Sequence, residues 1–436
     1  MDDIRLGVIG LGARSDLVGL AHRPGSGSVV VAVCDRDSRV LGVAGERFGA
    51  GVKTSPDHRE LLDAGLDGVF VLTPDHTHER IGLDFLAARV PVFLDKPMAI
   101  TTEGCDRLLG AAREHRTPLY VGHNMRHMPV VVAMRELIAG GAVGEVKAVW
   151  CRHFVGNGGD WYFKDWHADR RNTTGLLLQK GAHDLDVVHW LAGGYTRRVN
   201  AMGALTVYGG ITSRRDRTGE RMTEWLSQEN WPPLSQTGLA PVMDVEDLSM
   251  MQMRLDNGVF ASYQQCHYTP DTWRNYTVIG TEGRLENFGD SEGAEVRVWN
   301  RRSEYRAEAD VVVRVHTPPG THGGADPALV EEFLGFVREG GATVTSPVAA
   351  REAVAAGYAA TMSLRNGGKA IDVAPVDPDV AAYFADGRIP ARRQGIGDPA
   401  VGACSAHPRM GRASASEASS LPGGDPGRSE ERDDEN

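Results

Sequence analysis

Three groups of residues in this chain carry chemistry that packing alone does not require. The first is Gly10-Leu11-Gly12-Ala13-Arg14-Ser15, a G-x-G-x-x-S pattern at the end of the apolar run Arg5 to Gly10. Gly10 permits a tight turn out of a strand. Gly12, without a Cβ, lets the backbone come close to a pyrophosphate. The helix start expected through Ala13 and Arg14 offers free N–H groups and partial positive charge. Ser15 replaces the usual third glycine or alanine and is small enough for close helix packing. A second apolar run, Val29 to Cys34, ends in Asp35, 23 residues beyond Gly12. That spacing suits a carboxylate that accepts hydrogen bonds from ribose hydroxyls. Asp35 repels a 2′-phosphate and so favours NAD. The adjacent Arg36 can pair with such a phosphate and keeps NADP open.

The other two groups are Thr73-Pro74-Asp75-His76-Thr77-His78 and Asp95-Lys96-Pro97. They follow the apolar runs Val69 to Leu72 and Val92 to Leu94. In an open α/β sheet, ligands bind outside the carboxyl ends of the strands. Thr73, Pro74, His76, His78 and Asp95 therefore fall beside the expected nicotinamide pocket. Lys96 at a strand end can donate a hydrogen bond to a substrate hydroxyl or help move its proton. Either proline can follow a cis peptide bond.

These motifs need a scaffold, and the hydrophobic pattern supplies one. Arg5 to Gly10, Val29 to Cys34, Gly68 to Leu72, Pro91 to Leu94 and Leu119 to Gly122 are continuous apolar runs. Such runs suit parallel strands covered on both faces. Helical patterns at Ser38 to Phe48 and Thr77 to Ala88 lie between them. Residues 1–122 thus read as an α/β doubly wound parallel sheet that binds a dinucleotide. Beyond residue 123 the pattern changes. Val146 to Arg152, Val199 to Val207, Met243 to Leu255, Phe260 to Tyr268 and Arg274 to Ile279 read as strands, and Asn257-Gly258 is a hairpin turn signal. Gly181 to Leu191, Pro327 to Glu339 and Val348 to Asn366 read as helices. Residues 123–375 are therefore expected to form an α+β domain with a large, open, mostly antiparallel sheet. Residues 209–241 are polar, carry Trp225 and Trp231, and read as a surface excursion, an oligomer contact or an active-site lid. Residues 391–436, rich in Gly, Ser, Pro and charge, are expected to be a disordered tail.

Composition narrows the function. The chain has 436 residues, with 47 basic against 58 acidic side chains and a net charge of −11. No basic stripe appears, which argues against nucleic acid or an anionic membrane as partner. No stretch approaches the roughly 18 apolar residues that span a bilayer. No basic segment followed by a long apolar run opens the chain, so a signal peptide is not expected. The cysteines, at 34, 105, 151, 266 and 404, are scattered and odd in number. That usage fits a reducing cytoplasm and argues against zinc or a disulfide framework. His153, His167 and Asp160 lack metal-binding spacing, so no metal site is expected.

Taken in order, Gly10-Leu11-Gly12, Thr73-Pro74…His76…His78 and Asp95-Lys96-Pro97 resemble the Gfo/Idh/MocA dehydrogenases. The likeness continues through 140–146, 175–186, Gly280-Thr281-Glu282-Gly283 and His322-Gly323-Gly324-Ala325-Asp326, covering about residues 4 to 370. The family's usual motif is Glu-Lys-Pro, so Asp95 is a departure. The resemblance implies a Rossmann domain, then an α/β domain whose sheet often builds dimers or tetramers. It also implies NAD(P)-dependent chemistry at a carbinol carbon of a sugar, inositol or related polyol. In similar enzymes a lysine, an aspartate and a histidine four residues after that aspartate hold the reacting hydroxyl. Lys96 and His183 match as catalytic residues. The aspartate position holds Gln179, which takes no proton but can orient a hydroxyl. Acid–base work then falls to His183 and Lys96, and a histidine titrates near neutrality. Lys180 either binds an acidic group, reinforces His183, or points away. Asp186, on the same helix face as His183, either orients its ring or bonds nearby backbone. Asn124 and Arg126 match a region that borders nicotinamide and substrate. Residues 160–171, with Trp166, are rich in aromatics and charge, which suits a sugar ring or the packing of a crossing loop.

Three functions fit these features: a dehydrogenase, a glycoside hydrolase that uses tightly held NAD for transient oxidation, and an NAD-binding protein without catalysis. Intact Lys96 and His183 favour the first.

Overall fold

The computed structural model describes residues 2–385. The expectation of a disordered tail at 391–436, and Cys404 with it, lies outside the described residues. The first sheet is built from β1 (Ile4–Ile9), α1 (Asp16–Ala21), β2 (Ser28–Cys34), α2 (Ser38–Phe48), β3 (Lys53–Ser55), β4 (Gly68–Val71), α3 (His78–Ala87), β5 (Val92–Leu94), α4 (Thr102–His115) and β6 (Leu119–Val121). Its six strands run parallel in the order β3-β2-β1-β4-β5-β6. The strand order reverses between β1 and β4, which opens a crevice at their carboxyl ends. Five strands coincide with the apolar runs. The sixth, Lys53-Thr54-Ser55, was not expected, because an edge strand needs no apolar face. One boundary also shifts: Gly12 to Ser15 form a turn, with Ser15 N donating to Gly12 O, and α1 begins only at Asp16.

The second sheet follows α5 (Pro129–Ala139). Its elements are β7 (Val146–Phe154), α6 (Gly158–Tyr162), α7 (Arg170–Thr173), α8 (Leu176–Gln179), α9 (Gly181–Ala192), β8 (Thr196–Ala204), β9 (Leu248–Leu255), β10 (Phe260–Cys266), β11 (Trp273–Gly280), β12 (Arg284–Phe288), β13 (Glu295–Trp299), β14 (Val311–Arg314), α10 (Asp326–Glu339), α11 (Pro347–Arg365) and β15 (Ile371–Asp372). The nine strands order as β14-β13-β12-β11-β7-β10-β9-β8-β15, antiparallel except for β7 beside β10. Asn257-Gly258 closes the β9–β10 hairpin, with Gly258 at φ +84°. The expected strand from Met243 starts five residues late. Asp247 draws the chain aside there, because its carboxylate accepts the backbone N–H groups of Thr206, Val207 and Tyr208. Strand alternation buries one sheet face under α9 and α11. The other face leaves Trp150, Met202, Met250 and Phe260 exposed.

Each sheet has its own core, and α10 packs into that of the first. Phe333 of α10 lies 5.0 Å from the Phe70 ring and 5.4 Å from the Phe93 ring, and it also packs on Tyr120. α10, placed by chain order in the 123–375 segment, thus completes the packing of the dinucleotide-binding sheet. Residues 209–241 are mostly exposed but are anchored near their ends. Tyr208, Ile211 and Leu239 form a small core with Val155, Tyr162, Phe163 and Leu176. No helix among the described residues is long and apolar enough to cross a membrane.

Candidate active site

The crevice at the carboxyl end of the parallel sheet begins with glycine. Gly10 has φ +89°, and a Cβ there would stand 2.9 Å from the Leu72 carbonyl oxygen. Only glycine is tolerated in that pose. A Cβ on Gly12 would meet no atom within 4 Å, so open space lies over the loop backbone where a pyrophosphate can approach. Asp35 ties the loop to the end of β2. One carboxylate oxygen accepts Leu11 N at 2.8 Å and the other accepts Asp37 N at 2.9 Å. Further lone pairs remain for ribose hydroxyls. Ala13, Arg36 and His76 are exposed at the rim. Partial burial, then the charge of Arg36, lowers the His76 imidazole below its ordinary range. The residues present fit a dinucleotide.

Some expected cofactor contacts act instead within the protein. Arg14 reaches Asp326 at 3.1 Å and Asp95 at 3.5 Å, joining the glycine loop to β5 and α10. The buried His78 ring spans two loops, with Nδ1 2.8 Å from Pro97 O and Nε2 2.7 Å from Thr73 O. Thr77 donates to the Thr73 hydroxyl at 2.6 Å and to the Pro74 carbonyl. Of the two prolines, Pro97 follows a cis bond and Pro74 does not.

Lys96 and His183 come from different domains and meet in one cleft. Lys96 follows β5. Its Nζ donates to the Gln179 carbonyl oxygen at 3.3 Å. Burial lowers its ammonium below the ordinary lysine range, opposed by the charges of Asp75 and Asp95. Gln179 and His183 sit one helical turn apart across the α8–α9 junction, so both face the cleft. The Gln179 side chain is buried and its Oε1 has no partner. His183 is likewise buried, with Nδ1 unpartnered. Burial, then Lys96, Lys180 and Arg274, push its ring well below the ordinary histidine range. Burial and these cations all disfavour the charged ring. Its centroid lies 6.0 Å from that of His322. Asn124 donates to Asp326 at 3.0 Å and keeps its own carbonyl oxygen unpartnered. Lys180 is half-buried beside the Tyr162 ring, 5.6 Å from its centroid. Trp166 stacks on His167, ring centroids 3.7 Å apart.

Two expectations need correction. Arg126 was expected at the substrate. Its guanidinium is instead buried in a two-point pair with Asp186, at 2.7 and 2.8 Å, and also donates to Val344 O. The same pair removes Asp186 as the group that orients His183. The residues weighed as metal ligands lie in separate pairs: His153 with Asp184, His167 with Asp165, and Asp160 with Lys164.

Sequence reasoning passed over three features. Asp75 is buried with Oδ2 unpartnered, and burial raises its carboxyl to about 6. It stands inside the Thr73–His78 motif, but nothing in its spacing announces burial. Asp184 is the hub of a buried network. It accepts from His153 at 2.8 Å, Tyr263 at 3.0 Å, Tyr276 at 2.5 Å and Arg274 at 3.0 Å. His153, Arg274 and Tyr276 hold its carboxyl far below the usual range against the cost of burial. His322 approaches Arg14 at 3.3 Å. Only the fold brings these partners together, across separations of 31 to 308 residues.

A Rossmann sheet with an open glycine loop, joined to a second domain that completes its cleft, defines an NAD-binding oxidoreductase. Residues 4–123 match the oxidoreductase family's NAD-binding Rossmann fold, and residues 135–373 match its C-terminal alpha/beta domain. The chain belongs to the Gfo/Idh/MocA oxidoreductase family. It is similar to a putative oxidoreductase, YteT, of Bacillus subtilis, 27% identical over 309 residues, covering 62% of this chain and 72% of that one. It is also similar to an inositol 2-dehydrogenase of Ralstonia nicotianae, 32% identical over 193 residues, or 44% of this chain. The match spans 55% of that relative's length. Among solved structures, a levoglucosan dehydrogenase in complex with NADH and levoglucosan shares the fold. Its TM-score is 0.69 at 19% identity, over 85% of this chain and 99% of that one.

Proposed function

We propose that this protein is an NAD-dependent dehydrogenase acting on a carbinol carbon of a sugar, inositol or related polyol. The observation that carries this is the meeting of Lys96 with the Gln179–His183 turn at the mouth of the glycine-loop crevice. Gly10, Gly12, Ala13 and Asp35 hold the cofactor, with Arg36, Thr73, Pro74 and His76 at its border. When bound, NAD takes up or returns the hydride. The chain manages the rest. Lys96 donates a hydrogen bond to the substrate oxygen, and the His183 ring receives its proton. Gln179 and Asn124 offer unpartnered amide oxygens that orient neighbouring hydroxyls. Positioning of the reacting carbon against the cofactor supplies the remaining rate gain.

The substrates named for these relatives support the polyol class, and Asp35 supports NAD over NADP. We further infer a homo-dimer or tetramer built on the open sheet face, where Trp150, Met202, Met250 and Phe260 are exposed. The location we infer is cytoplasmic, in keeping with the free cysteines 34, 105, 151 and 266. The test is a panel of sugars, sugar acids and inositols with NAD and NADP, read as NAD(P)H absorbance. Turnover of a polyol with NAD is expected. Binding of NAD with no turnover across the panel would overturn the assignment.

A further inference from the structure

Lys180 stands at the junction of α8 and α9, between Gln179 and His183. Other cations around this cleft have oxygen partners. Arg14 has Asp95 and Asp326. Arg274 has Asp184 and Asp290, and Lys96 has the Gln179 carbonyl. Lys180 has no hydrogen-bond acceptor and no ion pair among the described residues; its ammonium lies 5.6 Å from the centroid of the Tyr162 ring. The two carboxylates whose charge reaches it, Asp184 and Asp290, already pair with Arg274. Asp184 is further occupied by His153, Tyr263 and Tyr276.

An ammonium in this position is costly without an anion. Burial, then the charges of Arg274 and Lys96, press Lys180 well below the ordinary lysine range. A hydroxyl can accept one of its hydrogen bonds but does nothing about the charge. A carboxylate accepts up to two and neutralises it. Lys180 is half-buried, so the cleft gives a ligand access to it.

We propose that Lys180 binds a carboxylate of the substrate, so that the preferred substrate is a sugar acid rather than a neutral sugar or inositol. This rests on the dehydrogenase reading above and narrows it. The carboxylate is unchanged in the reaction. The carbinol C–H and O–H bonds break, the hydride's electron pair goes to NAD⁺, and the proton leaves through His183.

The test compares matched pairs on the full chain with NAD: glucuronate with glucose, galacturonate with galactose, gluconate with sorbitol. Glucose 6-phosphate serves as a phosphate arm. The acids are expected to exceed their neutral partners in kcat/KM by about tenfold or more, the scale of a charge-assisted hydrogen bond. In Lys180→Met that preference should collapse, mainly through KM for the acid, and Lys180→Arg should restore part of it. A second measurement needs no variant: acetate and succinate should compete with the acidic substrate in the native protein. Preference for the neutral partners, or an acid preference untouched by Lys180→Met, would overturn the proposal. So would preference for the phosphorylated sugar. Turnover of neutral polyols alone removes this inference and leaves the dehydrogenase reading standing. No turnover of any compound, with NAD still bound, removes both.

Discussion

The Nζ of Lys96 and the main-chain oxygen of Gln179 stand 3.3 Å apart, a hydrogen bond that crosses from the dinucleotide-binding domain to the second domain. Lys96 is therefore aimed by backbone, not by a carboxylate. That arrangement holds it in place without adding negative charge, and it leaves the Gln179 Oε1 unpartnered.

Lys96→Ala should lower kcat by about 10²–10⁴-fold, the usual contribution of a positioned proton-transfer group. NAD binding, followed by fluorescence titration, should change little, because the glycine loop and Asp35 do not depend on the ammonium. Equal losses in both measurements would mean that Lys96 serves the cofactor rather than the substrate.

Gln179→Glu places a carboxylate in the cleft that Lys96 enters. An opposite charge favours the protonated amine, so the alkaline limb of the kcat/KM profile should move up by about one pH unit. A limb that stays where it was would show that another group governs it.

Arg126 and Asp186 form a buried two-point pair. Arg126→Ala should destabilise the fold by about 3–5 kcal/mol, because it strands a buried carboxylate. Denaturant melts read this directly. Arg126→Met with Asp186→Leu should recover most of the loss. A variant of normal stability with a raised KM would return Arg126 to the substrate site.

Asp75 gives the stability a pH signature. Burial raises its carboxyl from 3.8 to about 6. The folded state thus binds the proton more tightly than the unfolded chain. Its contribution is fully present below about pH 4 and is lost as pH rises through about 6, a change of about 1–3 kcal/mol. Asp75→Asn should abolish that component, so that its advantage over the native protein grows between pH 4 and 7. Parallel melting curves across that range would count against it.

Asp160 anchors the long excursion. It pairs with Lys164 at 2.6 Å, and Asn230 and Gln236 donate to it at 2.8 and 3.3 Å, while Trp225 Nε1 reaches its carbonyl. Asp160→Ala should loosen residues 209–241 and speed tryptic cleavage at Arg214, Arg215, Arg217 and Arg221. Cleavage rates equal to the native chain's would show that the small apolar core around Tyr208 holds the excursion by itself.

Much of the fold was legible because buried parallel strands leave continuous apolar runs, and Ser38–Phe48 could be bounded to the residue. The glycine loop was legible because its chemistry is local: Gly10, Gly12 and Asp35 lie within one βαβ unit. Polar edge strands such as Lys53–Ser55 carry no such mark. Arg126 was misplaced because a guanidinium looks the same in sequence whether it meets a ligand or a carboxylate 60 residues away. Asp75 went unnoticed for the same reason, since its burial is made by segments distant in the chain. Chain order rightly leaves α10 within the second domain, but it carries no sign that Phe333 also packs on the first sheet.

The placement of Phe333 on Phe70, Phe93 and Tyr120 sets a timetable for biosynthesis. All six strands of the nucleotide-binding sheet have left the ribosome once residue 122 is out, yet an aromatic wall stays bare until α10 follows. At ordinary translation speeds that interval is roughly 10–40 s. Through that time the nascent chain displays an apolar surface, a natural target for a holding chaperone, and Arg14 waits for Asp326. The nucleotide site is among the first parts to be made and among the last to be finished.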